Sequence, residues 1–448
     1  MRQSSALIIA IACVAPASAF ASGFELREDS AHAQGTSYAG AAASNGDPSY
    51  LFYNPASLGG VRDWDVSVNG TGLILSSDGN FTGTTAAGTP TGGKTDPSGF
   101  ISDAFVPAMA ARFRLDDQMS VGISVTSPWG ESTKYGGTWT GRYYAMTTRL
   151  TSVDITPVLS YQPMPELTFA GGVVAQHLHA ELTEAIDFGT LGALGGFPGA
   201  VPGHNDGFVA LHGDSWSSGY VLGVMWDPRP DLSVGLSYRS GNGQTLRGSE
   251  NFTFDTLGIA ATINALTGAF ASGRGGAEVP TPGVMTGGAR WRYDDQWTVL
   301  MGFERTGWSA FHQLLVVPDN PANPQALTVL NWDDTWFGSL GAEYRWDHQW
   351  TFRGGFAFDE KAAPSEHVEP RIPDANRYWV SGGVSYRWNE NIDVDFAVSH
   401  LFTPHSNIDQ SVFQTGNALR GSLVGTSNTS ATLISLGLVV KHPFSISF

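Results

Sequence analysis

The strongest constraint on this chain is a period-two alternation that returns repeatedly around one nine-residue motif. "YRWDHQWTF" (Tyr344 to Phe352) recurs as "FRLDDQMSV" (Phe113 to Val121), "WRYDDQWTV" (Trp291 to Val299) and "YRWNENIDV" (Tyr386 to Val394). Two proline variants, "YQPMPELTF" (Tyr161 to Phe169) and "WDPRPDLSV" (Trp226 to Val234), keep the same outline. Around these motifs Leu232, Val234, Leu236 and Tyr238 alternate with Ser233, Gly235, Ser237 and Arg239, and Leu340, Ala342, Tyr344 and Trp346 alternate with Ser339, Gly341, Glu343 and Arg345. Each such run is a strand with one apolar face and one small or charged face. In a soluble sandwich the apolar faces would meet in a core; in an outer-membrane barrel they face lipid and the polar faces line the lumen. Tyr238, Trp291, Trp297, Tyr344, Trp346, Trp350, Tyr386 and Trp388 fall at strand ends, where an interfacial girdle belongs, and this favours the barrel.

Counting turns gives the strand number. Six motifs read as six tight inner turns, and with both termini on the inner side the strands number 2 × 6 + 2 = 14, a count that follows from the six repeats. Seven long Gly/Ser/Asn/Pro-rich segments, near 76–104, 128–150, 185–213, 241–277, 309–330, 361–376 and 402–428, supply the seven outer loops. The expected fold is therefore all-β: a 14-stranded antiparallel transmembrane barrel, closed so that no strand edge faces lipid. Phe448, an aromatic C-terminal residue, suits recognition by barrel-assembly machinery.

The remaining composition agrees. Charged residues are 15% of the chain, and 24 Lys+Arg stand against 41 Asp+Glu for a net charge of -17, so nucleic acid is excluded as a partner. Arg2, the apolar run Ala6 to Ala15 and Ala19-Phe20-Ala21 read as a signal peptide over 1–21, with Ala17-Ser18-Ala19 as a competing cleavage site. Cys13, the only cysteine, lies inside it, so neither disulfide nor lipid anchor is expected in the exported chain. Residues 22–63 do not alternate; they are rich in small residues and long enough to enter and block the lumen, leaving 64–448 as the barrel.

Several stretches resemble the FadL type of outer-membrane long-chain fatty acid transporter, including relatives that import aromatic hydrocarbons. They are "GFEL" (Gly23 to Leu26), "YNPASLGG", "SPWGESTKYGGTWTGRYYAMTTRL" (Ser127 to Leu150), "HAELTEAIDFG" (His179 to Gly189), "NWDDTW" (Asn331 to Trp336) and "IPDANRYWVSGGVSYRW" (Ile372 to Trp388). The resemblance implies a Gram-negative outer-membrane barrel plugged by an N-terminal hatch. It implies passive uptake of hydrophobic molecules, with capture in the third and fourth outer loops and lateral release through the wall at a kinked third strand. A hydrophobic solute needs an apolar landing surface, for which Trp129, Trp139, Tyr143 and Tyr144 in the segment near 128–150 would form one wall and Leu191, Leu194 and Phe197 in that near 185–213 the other. The resemblance places Phe24 near the inner ligand site; Asn54-Pro55-Ala56 is expected to bond the wall where the third strand bends, and Arg142 and Arg149 are cationic candidates on grounds other than the resemblance. Gly122, which permits a bulge, and Pro128, which lacks a ladder donor, mark the opening.

The expected partners are long-chain fatty acids or aromatic hydrocarbons, outer-membrane lipid and the assembly machinery, with a monomeric barrel and no cofactor. His177, His179 and Glu181 share a strand face, and a polar row lining the lumen explains them without a metal. No Gly-x-Ser-x-Gly or Ser/His/Asp arrangement stands out, so an outer-membrane lipid hydrolase ranks below a general diffusion porin, and both rank below the transporter.

Overall fold

The computed structural model describes residues 23–441; the signal peptide, Cys13 and Phe448 lie outside the described residues. Among these, fourteen wall strands are numbered in chain order. The first seven are β1 Trp64–Thr84, β2 Ala104–Arg114, β3 Met119–Thr126, β4 Thr147–Met164, β5 Leu167–Asp187, β6 Asp206–Arg229 and β7 Leu232–Arg239. The others are β8 Val284–Arg292, β9 Trp297–Thr306, β10 Thr335–Arg345, β11 Trp350–Asp359, β12 Arg377–Asn389, β13 Ile392–Phe402 and β14 Ser422–Lys441. Each pairs antiparallel with its neighbours in sequence, and β1 closes on β14 from Asp65↔Lys441 to Thr84↔Ser422. The barrel thus has the fourteen strands that the turn count predicts.

The recurring motif earns its repetition at the turns. In three copies one aspartate accepts two backbone N–H groups across the corner: Asp116 from Gln118 and Met119, Asp294 from Gln296 and Trp297, and Asp347 from Gln349 and Trp350, all at 2.7–2.8 Å. The motif arginines then stitch one turn to the preceding one. Arg345 donates to the carbonyls of Gln296 and Asp295, and Arg292 to those of Asp231 and Pro230. An aspartate that closes its own corner and an arginine that reaches the next strand pair give the inner rim a continuous hydrogen-bonded edge.

The alternation does what the membrane demands. In β9 the exposed positions are Trp297, Val299, Met301 and Phe303, and the buried ones between them are Thr298, Leu300, Gly302 and Glu304. Trp291, Trp297, Trp346, Trp350 and Trp388 ring the inner rim as expected. Tyr238 does not. Because β7 is only 8 residues long, Tyr238 reaches the opposite rim, its ring 6.1 Å from that of Tyr220.

The space inside is filled by residues 23–63, which form no wall strand. Small helical turns start at side-chain caps followed by proline, as such turns favour: Asp47 accepts from Ser49 N–H ahead of Pro48–Leu51, and Asn54 from Ala56 N–H ahead of Pro55–Leu58. Backbone rests against backbone where the wall carries glycine. A Cβ on Gly235 would lie 1.8 Å from the Ala42 carbonyl oxygen, and one on Gly355 would lie 2.1 Å from the Thr36 carbonyl carbon. Inward-facing glycines therefore form the seat for this segment.

Candidate functional site

The wall is broken where β3 ends. On the β4 side pairing runs from Met119↔Tyr161 to Thr126↔Asp154, and on the β2 side it stops at Met109↔Val125. Ser127, Pro128 and Trp129 leave the ladder. The chain resumes as a short strand, Gly130–Lys134, paired with β4 from Gly130↔Thr151 to Lys134↔Thr147. Pro128 sits in the break. Gly122 does not: it pairs with both Arg112 and Val158, and a Cβ there would meet Leu58 and Leu51 of the N-terminal segment at 2.7 and 3.0 Å. The opening expected at Gly122 is thus displaced toward the outer end, and Gly122 is small because the segment packs on it.

The N-terminal segment covers the break. Leu26 N–H donates to the Pro128 carbonyl at 2.7 Å, Gly130 N–H donates to the Phe24 carbonyl at 2.9 Å, and Glu25 bridges Trp129 antiparallel. The backbone groups that the wall leaves unpaired at 128–130 are therefore satisfied by residues 24–26, as a low-dielectric setting requires.

Phe24 is the centre of an aromatic cage. Its ring lies 4.7 Å from Trp308, 5.8 Å from Phe311, 5.8 Å from Trp332 and 6.0 Å from Trp129, mostly edge to face. All five are buried. Phe24 and Trp129 are among the residues expected from the sequence, whereas Trp308, Phe311 and Trp332 are not; the signal for them was Trp308 and Phe311 at the start of the fifth outer loop and Trp332 in "NWDDTW". Asp334 is held by Arg305 at 3.0 Å.

Beneath the cage lies a buried ion network. Arg27 pairs with Glu304 at 2.7 Å, Glu25 at 3.0 Å and Asp359 at 3.4 Å, and Arg377 pairs with Asp374 at 2.7 Å and Asp359 at 3.4 Å. Burial raises the Glu25 carboxyl well above the usual range, Glu28 to about 7 and Asp29 to about 8.

The other predicted residues sort into two groups. Trp139 and Tyr144 are buried in a stacked lid: Tyr135 lies between Phe100 at 4.4 Å and Trp139 at 4.1 Å, and the Tyr144 hydroxyl donates to the Gly421 carbonyl at 2.7 Å. Tyr143 and Leu191 line a separate cavity of about 280 Å³ with Phe252, Phe270 and Leu327, and Phe197 packs on the same apolar cluster. Leu194 joins neither group; it is 76% exposed. Arg142 is not available as a free cation. Its guanidinium pairs with Asp206 at 2.6 Å and donates to the carbonyls of Thr91 and Gly203, which staples three loops together. Arg149 stands opposite Glu181 in the ladder.

Asn54 bonds the wall, but elsewhere than expected. Its Nδ2 donates to the Val224 carbonyl of β6 at 3.1 Å and to Ala42 at 2.7 Å, so Asn54-Pro55-Ala56 anchors opposite β6, away from the bend of β3. His177 and His179 face the outside of the barrel, because Gln176 and Leu178 take the inward positions; both rings approach Asp214, at 3.5 and 2.9 Å. A further group, His32, Asp47 and Asp395, has the proximity for a cation. Arg353 stands 3.2 Å from His32 and 3.5 Å from Asp395, so a guanidinium already neutralises it.

Residues 11–442 match the family model described as outer membrane protein transport protein (OMPP1/FadL/TodX). The long-chain fatty acid transport protein of Escherichia coli strain K12 is 27% identical over 444 residues, covering 94% of this chain and 97% of that one. Outer membrane protein P1 of Haemophilus influenzae is 23% identical, covering 89% and 90%. Among solved structures, a Pseudomonas aeruginosa FadL homologue superimposes with a TM-score of 0.85 at 20% identity, covering 94% of this chain and 99% of that one. The Pseudomonas putida toluene transporter TodX gives 0.66 at 14%, covering 93% and 98%.

Proposed function

The chain belongs to the OMPP1/FadL/TodX family of outer-membrane transport proteins, and from that premise we propose that it carries hydrophobic molecules, long-chain fatty acids or aromatic hydrocarbons, passively across the outer membrane of a Gram-negative bacterium. It is a transporter and not an enzyme. Residues 22–63 act as a hatch. Cargo is captured at the apolar outer-loop cavity beside Leu191 and Tyr143, passes to the cage around Phe24, and leaves sideways at Ser127–Trp129. The observation that carries this reading is the covered break: an interruption of the wall ladder, closed by residues 24–26 and backed by the aromatic cage.

The route makes physical sense. An apolar cargo gains roughly 0.8 kcal/mol per buried methylene, so a straight exit into water would forfeit what capture supplied, whereas a lateral exit into the bilayer keeps it. Asn54-Pro55-Ala56 serves the hatch as an anchor on β6, leaving its N-terminal end to move. Uptake of radiolabelled oleate and toluene by cells lacking their own transporters tests the proposal. The chain should restore uptake of at least one, and cells expressing it that take up small hydrophilic sugars instead would point to the porin.

A further inference from the structure

We propose that the outward face of the β5–β6 pair binds a divalent transition-metal ion through His177, His179 and Asp214. The site lies off the route proposed above, and the inference is independent of the transport reading.

In the sequence His177, His179 and Glu181 read as a polar row lining the lumen; the structure turns that row to the outside, where a lumen lining no longer accounts for it. Gln176, Leu178 and Ala180 take the buried inward positions, whereas the His177 and His179 side chains are 30% and 34% exposed. Register completes the group. His177 stands opposite Trp216, His179 opposite Asp214 and Glu181 opposite His212, so strand alternation gathers three imidazoles and two carboxylates on one face. Lower on the same face of β6, Tyr220 and Leu222 are exposed as residues facing lipid are. The imidazoles therefore lie beyond the outer rim marked by Tyr220, within reach of water and dissolved ions.

Two of these rings already converge on one oxygen. His179 Nδ1 is 2.9 Å and His177 Nε2 3.5 Å from Asp214 Oδ1. Two imidazoles from alternate positions of a strand and a carboxylate from the strand beside it make the donor set of a tetrahedral ion with one further place. Rotation of side chains this exposed is all that is needed to bring both nitrogens to about 2.0–2.1 Å from a shared ion. His212, diagonal to His179 across the pair, can take the further place. The neighbouring cations are engaged elsewhere: Arg247, opposite Asp214, pairs with Asp319 at 3.0 Å, and Arg149 stands opposite Glu181. In this the group differs from His32, Asp47 and Asp395, where Arg353 already supplies the positive charge. Imidazole donors favour Zn²⁺, Ni²⁺ or Cu²⁺ over Mg²⁺ and Ca²⁺, which prefer oxygen shells. An ion held here would tie β5 to β6 below Phe188–Leu194, the helix that carries Leu191.

Calorimetry with ZnCl₂ on the full chain, prepared without a polyhistidine tag in nanodiscs of zwitterionic lipid and with empty discs subtracted, tests this. The chain should bind Zn²⁺, and an excess of Mg²⁺ should leave it bound. His177→Asn combined with His179→Asn should weaken binding by at least about tenfold, the factor that loss of even an outer partner of a metal ligand brings. Heat-modifiable mobility in gels verifies that the variant is folded; should it fail to assemble, His179→Asn alone carries the same test. No binding by the unmodified chain, displacement by Mg²⁺, or undiminished binding in the folded variant overturns the proposal, the last by placing the ion elsewhere.

Discussion

Leu26 donates its backbone N–H to the carbonyl of Pro128 at 2.7 Å, and this bond joins a segment inside the barrel to the interruption in its wall. A lumen plug and a wall patch are therefore the same piece of chain. Removing it should open both. Deletion of residues 23–59 is expected to leave a folded, heat-modifiable barrel that conducts ions steadily in a planar bilayer, where the intact chain is nearly silent. A silent deletion variant would mean that the loops, and not this segment, close the lumen.

Gly235 offers a finer test of the same seat. Its missing side chain admits the Ala42 carbonyl, which a Cβ would approach to 1.8 Å, whereas a Cβ on Gly338 meets nothing within 4 Å. Gly235→Ala should unseat the segment and raise basal conductance. Gly338→Ala, on the exposed face of β10, should leave conductance as it was.

Much of this architecture is legible in the sequence, and what is not has a common physical reason. The turns are local: an aspartate two or three residues before the N–H groups it caps recurs visibly, so Asp116, Asp294 and Asp347 announce their corners. The cage is not local. Phe24, Trp129, Trp308 and Trp332 meet only because the sheet closes and its loops fold inward, and no periodicity connects them. Arg142 misleads for the same reason, since the partner that neutralises it, Asp206, belongs to another loop. Gly122 has the residue type that a bulge would use, but its role as a contact for Leu51 and Leu58 exists only once the segment is docked.

Arg27 holds the segment to the wall through Glu304 and Asp359. Arg27→Met would leave buried carboxylates uncompensated, a loss of about 3–5 kcal/mol for a broken buried pair. Urea unfolding of the purified protein should show a lower midpoint for this variant. A midpoint within error of the unmodified chain would mean that these carboxyls are already protonated in the folded state.

The docked segment should be held more firmly in mild acid than in alkali. Burial and the Arg353 guanidinium push the His32 imidazole down, but Asp395 and Glu343 outweigh them and raise it to about 9; Tyr50 and Asp47 face it from its own segment. Its stabilisation is complete below its ordinary value of about 6.5 and disappears as pH rises through 9. Glu28 and Asp29, raised by burial to about 7 and about 8, act in the same direction, because the docked state keeps protons that the unfolded chain has released. Bilayer conductance should accordingly rise between pH 6 and pH 10, and His32→Gln should flatten the part of the rise above pH 8. Conductance that instead grows on acidification would contradict this.

If cargo leaves through the break, tethering its cover should stop transport without altering the barrel. Glu25 and Trp129 form the antiparallel bridge, which places Leu26 and Pro128 opposite each other in the next position. Paired antiparallel residues have Cα atoms about 5.5 Å apart at a hydrogen-bonded position, inside the range a disulfide spans. The only native cysteine, Cys13, lies in the expected signal peptide, so Leu26→Cys with Pro128→Cys introduces a single pair. Oxidised, this variant should assemble normally, bind hydrophobic probes at the outer-loop cavity and fail to deliver labelled substrate; reductant should restore delivery. Leu26→Cys alone controls for the substitution itself. Undiminished delivery with the disulfide demonstrably formed would place the exit elsewhere, since residues 24–26 cannot uncover the break while bonded to it.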